Sequence, residues 1–108
     1  MSCNGKRGEI IATLGGREWR MCLTLGALAE LEDTLGEPDL VALAERFERG
    51  RMSARELVAI IGAGMRGAGH DIGNEEVADL AAENGVRDYV EIAVRLLAAA
   101  FPRDGDGE

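Results

Sequence analysis

Apolar residues occupy every second position over Ile10–Leu14 and Trp19–Leu23, then repeat at helical spacing from Leu25 onward. Ile10, Ala12 and Leu14 share one face of the first predicted strand. Trp19, Met21 and Leu23 share one face of the second, while Arg20, Cys22 and Thr24 point the other way. Gly15–Gly16 stands between the two runs. Both central positions of a two-residue hairpin turn require positive φ, which glycine adopts without steric cost. The pattern predicts an antiparallel hairpin. A lone hairpin is barely stable in water, so its apolar face must lie on helices or pair with another chain.

The helical stretches carry their own punctuation. Thr24 is placed to cap a first helix with Leu25, Leu28, Leu31 and Leu35 as its apolar stripe, and Gly36 to end it. Pro38 suits the first turn of a second helix, where Leu40, Leu43, Ala44 and Phe47 recur up to Gly50. Ser53 and Glu56 form a capping box for a third, with Met52 set to staple onto Leu57; it runs through Ile60, Ile61, Gly64 and Met65 and dissolves at Gly67–Ala68–Gly69. His70–Gly73 reads as a loop. Asn74 is expected to cap a fourth helix, with Glu75 and Glu76 on its positive end, Val77, Leu80 and Ala81 inward and Gly85 as its stop. A fifth, about 87–101, carries Tyr89, Val90, Ala93, Leu96, Leu97, Ala100 and Phe101. The expected fold class is α+β, mostly α: an N-terminal two-stranded hairpin packed on about five short helices. Residues 1–8 and the acidic tail 102–108 are expected to be disordered, leaving 9–101 as a single domain.

Composition narrows the class further. The 108 residues are 46% hydrophobic but only 4% aromatic, so the core must be built from Leu, Ile, Val, Ala and Met. Such a core buries modest area per residue, at roughly 25 cal/mol per Å², which hints at oligomerisation. Twenty acids against twelve bases give a net charge of −8 and a pI near 4.6. That charge disfavours nucleic acid and anionic membrane surfaces as partners. No apolar run reaches the roughly 18 residues of a membrane span, and MSCNGKRGE is not a secretory signal. Cys3 and Cys22 are too few for a disulfide framework and are expected as free thiols in a reducing cytoplasm.

No residue set points to chemistry. Gly62-x-Gly64-x-x-Gly67 imitates a dinucleotide fingerprint, with Glu83 at about the distance for a ribose contact. That site needs a strand before the glycines and a helix opening at them. Here a capped helix runs into the glycines, so close helix packing followed by a helix stop is the expected reading; a small nucleotide-binding protein is the enzyme-class alternative. His70 is the only histidine, and Asp71 beside it is poorly placed to orient it, so a loop or capping role is expected. One histidine and two distant cysteines cannot build a zinc site. Asp71-x-Gly73-x-Glu75 lacks the rest of a calcium loop. No catalytic, cofactor-binding or metal residues, no cofactor and no enzymatic activity are expected. Trp19 is expected in the core, under the helices. Charge is polarised: five acids and no base from Glu30 to Asp39, then Arg46, Arg49, Arg51 and Arg55, then seven acids and only Arg87 from Asp71 to Glu91. Such a layout could steer head-to-tail contacts as readily as it could be an ordinary surface.

The order of these pieces carries a resemblance. Gly8–Leu14, the Gly15–Gly16 turn, Leu23–Leu35, Ser53–Gly69 ending in GMRGAG, and the Glu75–Glu76–Val77 helix start together resemble the gene transfer agent family of phage-derived proteins, over roughly residues 8–101. The similar member is the small protein encoded beside the tail tube and tape-measure genes, a tail assembly chaperone sometimes labelled a tail tube protein. The resemblance implies a bacterial, cytoplasmic, non-enzymatic tail assembly chaperone of a gene transfer agent or prophage. It would bind tape-measure protein and tail tube protein and self-associate as a homo-oligomer, with a structural component of the tail tube as the alternative. It transfers no partner-binding residues. The hairpin's strand edge and the acidic helix face are the surfaces expected to make assembly contacts.

Overall fold

The computed structural model describes residues 8–36 and 39–101. Strands β1 (Glu9–Leu14) and β2 (Arg17–Cys22) form the expected antiparallel hairpin, followed by α1 (Leu25–Leu35), α2 (Leu40–Glu48), α3 (Ala54–Gly67), α4 (Asn74–Ala78) and α5 (Val86–Ala100). The fold is α+β and mostly α. Gly15 and Gly16 turn the hairpin at φ 64° and 77°, and the register pairs Leu14 with Arg17, Ala12 with Trp19 and Ile10 with Met21. Leu14 and Met21 are fully buried, and Trp19 and Ala12 nearly so.

α3 is the axis of the molecule. It packs against α1, β2, α4 and α5, and every residue from Ala59 to Met65 is buried. A helix touched on all sides needs small residues where neighbours come closest. Gly62, Gly64 and Gly67 supply them: an added Cβ would strike the Asn74 side chain, the Leu96 side chain and the Cys22 carbonyl oxygen respectively. The Ser53–Glu56 capping box is formed in full, Ser53 Oγ accepting from the Glu56 N–H at 3.1 Å and Glu56 accepting from the Ser53 N–H at 2.9 Å.

Five expectations are corrected. Leu25 is not in the core: Ala27 and Leu31 are the buried residues of α1, and at 100° per residue Leu25 falls on the far side of the helix from them. The fourth helix is capped at Gly73 rather than Asn74 and stops at Ala78. The Asn74 side-chain oxygen accepts instead from Arg66 at 3.1 Å. Past the end of α4 the chain is held by a tertiary partner: the Tyr89 hydroxyl lies 2.8 Å from the Val77 carbonyl, inside the helix, and 2.6 Å from that of Leu80, beyond it. Ala81 is exposed rather than inward, and its carbonyl accepts from the Gly15 N–H at 2.7 Å, fastening the hairpin turn to the loop after α4. Cys22 is disulfide-bonded, not a free thiol. A count of two cysteines argues against a framework of bridges, not against one bridge. Cys3, Pro38 and the expected disordered ends, Gly8 apart, lie outside the described residues.

Candidate functional site

Each residue singled out by sequence has a structural occupation. The glycine run Gly62–Gly67 is interior helix, its open sides filled by Asn74, Leu96 and Cys22. No helix begins at these glycines, so no row of free amides faces a phosphate. Trp19 is 6% exposed, its indole N–H donates to the Leu14 carbonyl at 2.9 Å, and the Arg17 guanidinium covers its ring at 4.0 Å. His70 meets Trp19 edge-on, ring centroids 4.9 Å apart. Its Nε2 is buried without a hydrogen-bond partner. Asp71 beside it is exposed. Among the described residues no group of three or more His, Cys, Asp or Glu side chains stands where it could hold a metal ion.

The polarised charge is partly internal. Arg66 reaches from α3 to the Glu30 carboxylate on α1 and donates to the Ile72 carbonyl at 2.9 Å, which pins the loop before α4. Arg46 grips Glu56 with two hydrogen bonds, 2.6 and 3.3 Å, and also donates to the Arg51 carbonyl. These bonds hold the Glu56 carboxyl below its ordinary value. Arg55 donates to the Thr34 carbonyl at 2.7 Å, satisfying the end of α1. Two bases of the arginine cluster therefore staple α2 and α3 to their neighbours. Arg49 and Arg51 remain exposed.

The two expected assembly surfaces fare differently. The strand edges are partly covered: the Ile11 carbonyl on β1 accepts from Arg95 of α5 at 3.0 Å, and the Cys22 carbonyl on β2 faces Gly67 of α3. The acidic face of α1 stays open, with Glu32 and Asp33 exposed. A surface that the sequence reading missed lies beside it. Leu25 and Leu28 of α1, Val41 of α2 and Phe101 after α5 line a cleft of about 410 Å³, with Glu32 and Asp39 at its rim. Among the described residues, the large apolar side chains more than half exposed are Ile11, Leu25, Val41 and Val86. Two of these four line this one cleft. No local signal marked it: Leu25 fits the leucine stripe, and only the burial of Ala27 and Leu31 turns it away from the core.

What the described residues define is a small α+β fold, mostly α, that exposes an apolar cleft beside an acidic helix face. The chain belongs to the family described as phage tail tube protein, GTA-gp10, whose family model matches residues 7–103. No curated protein and no solved structure matches it at a significant level.

Proposed function

We propose that the protein is a non-enzymatic part of the machinery that builds a phage-like tail, and that it works by repeated protein–protein contact. The family match over 7–103 carries this reading. The family's description favours a structural component of the tail tube over an assembly chaperone. With a sheet of two strands whose edges are partly covered by Arg95 and α3, contacts between subunits would be made chiefly by side chains rather than by extending a sheet.

The chaperone reading stands second. In it the protein holds tape-measure protein in the bacterial cytoplasm until tube subunits polymerise, and then leaves. The acidic face of α1 and the apolar cleft beside it favour that reading, since a helical, partly apolar client needs such a surface. Quantitative mass spectrometry of purified particles against producing cells separates the two. A tube component is present in many copies per particle. A chaperone is abundant in cells and depleted from particles, and a pull-down from those cells recovers tape-measure protein. Absence from particles together with no tail protein in the pull-down would sink both.

A further inference from the structure

Cys22 is disulfide-bonded, and the chain has one other cysteine, Cys3. Within a single copy the bond can therefore join Cys22 to Cys3 alone. The position of Cys22 gives such a bond a purpose. Cys22 ends β2 and pairs across the register with Glu9, the first residue of β1. That pair is the open end of the hairpin. The other end is already fastened, by the Gly15–Gly16 turn and the Gly15 N–H donated to the Ala81 carbonyl. Two strands hold together poorly in water without outside support. Cys22 is also where the hairpin meets the helices. Its carbonyl oxygen faces Gly67 of α3. Two residues on, Thr24 caps α1 by accepting from the Ala27 N–H at 3.1 Å. A covalent tie at Cys22 fixes the chain where three elements join.

Chain length and backbone both allow the closure. Residue 3 lies five positions before Gly8, a reach of up to about 17 Å. Gly8 stands beside the sulfur: a Cβ there would lie 3.7 Å from Cys22 Sγ. That is ordinary contact, so space does not demand a glycine. The backbone does, since Gly8 turns at φ 74°. A left-handed turn beside the sulfur lets the preceding chain fold back toward it.

We propose that Cys3 and Cys22 form a redox clasp. They are two thiols while the protein is in a reducing cytoplasm and one disulfide in the oxidising surroundings where a finished tail works. The inference rests on the reading of the protein as a tail component that leaves the cell with the particle. A small disulfide, RSSR, is the oxidant. One cysteine thiolate attacks it to give a mixed disulfide and releases RS⁻. The other cysteine thiolate then displaces the second RS⁻, and the Cys3–Cys22 bond forms. The two cysteines lose two electrons, RSSR gains them, and the two thiol protons end on two RSH. The aromatic-poor composition gives the closure weight. Small domains with little core to bury draw stability from such bridges, and closing a loop of about twenty residues restricts the unfolded chain.

The full chain, purified under reduction and then transferred to glutathione disulfide, tests this. The expected product is a monomer lighter by two hydrogens, whose non-reducing digest joins the peptides carrying Cys3 and Cys22. It should melt about 10 °C above the reduced chain. Cys3→Ser, which leaves buried Cys22 in place, should melt with the reduced parent chain in both buffers. Cysteines that still take up alkylating reagent in full, a bridge between two copies instead of within one, or a melt unmoved by reduction would each overturn the proposal. Alkylation of producing cells and of purified particles then separates the clasp from the reading beneath it. Cysteines labelled in cells and protected in particles are expected. Labelling in both would overturn the clasp and leave the tail function standing. A chain that closes the bond in buffer but is missing from particles would sink the tail-tube reading and leave the disulfide itself supported.

Discussion

α3 and the open ends of the helices around it are both apolar, and they spend that apolarity differently. In α3 the apolar residues run around the helix, and each meets a neighbour within the chain. At Leu25, Val41 and Val86 the side chains face outward. The first region is where a substitution should unfold the protein. The second is where a substitution should leave the fold intact and change what it touches.

The sharpest break is at the α3–α5 contact. Leu96 is fully buried and fills the space beside Gly64, with Cδ1 2.8 Å from where a Cβ would stand. Leu96→Ala should destabilise by about 2–5 kcal/mol in urea unfolding. Gly64→Ala should cost about 1–3 kcal/mol by overpacking. The double variant should cost clearly less than the two added together, because the new methyl enters the space that leucine left. Strict additivity would mean that the two residues do not share that space.

Gly67→Ala is next, at roughly 3 kcal/mol, near the top of the overpacking range, since the obstacle is the Cys22 carbonyl oxygen and backbone cannot swing aside as a side chain can. A thermal melt close to that of the parent chain would show that β2 and α3 are free to separate. This close approach also shows what was legible beforehand. The alternation of Ile10–Leu14 and Trp19–Leu23, the Gly15–Gly16 turn and the Ser53–Glu56 box are local signals, and each reappears in place. The purpose of Gly62 and Gly64 was also readable, because a helix start upstream ruled out a phosphate loop. Local signals failed where a distant residue decided the outcome. Asn74 gives its side chain to Arg66 instead of capping α4, and Tyr89 closes α4 from twelve residues downstream of Val77. The apolar cleft was hidden for the same reason: Leu25 fits a leucine stripe until the partners of Ala27 and Leu31 fix which way α1 faces.

Tyr89→Phe should cost about 1 kcal/mol, the worth of one hydroxyl donor to the Val77 and Leu80 carbonyls. It should loosen the Gly15–Ala81 fastening more than it disturbs α3, visible as faster amide exchange at Gly15. Burial, with a smaller contribution from Asp79, raises the Tyr89 pKa above its ordinary 10.0. Its contribution is therefore complete below pH 10 and declines as pH climbs through the raised value. The phenylalanine variant should lack that alkaline step.

A smaller effect separates the edge of α3 from its centre. Arg46 holds Glu56 below its usual pKa, chiefly through their hydrogen bonds. With the folded value depressed, the unfolded chain binds the proton more readily. Stability from this pair is present above the unfolded value and is lost as pH falls through the folded one. Arg46→Gln should flatten that acid limb and shift stability at neutral pH by under about 1 kcal/mol, because the pair is partly exposed. Unchanged acid dependence in the variant would assign the limb to other carboxylates.

Leu25→Ser should be the least costly of all, within about 0.5 kcal/mol of the parent chain, because the side chain is already in water. That near-zero value is informative beside Leu96→Ala. Both substitutions remove a leucine from a helix, and the difference between them measures how much apolar surface the fold itself consumes. If Leu25→Ser melts several degrees lower, the cleft belongs to the core and not to a partner. If it melts with the parent chain, Leu25 lies outside the core, as its exposure states.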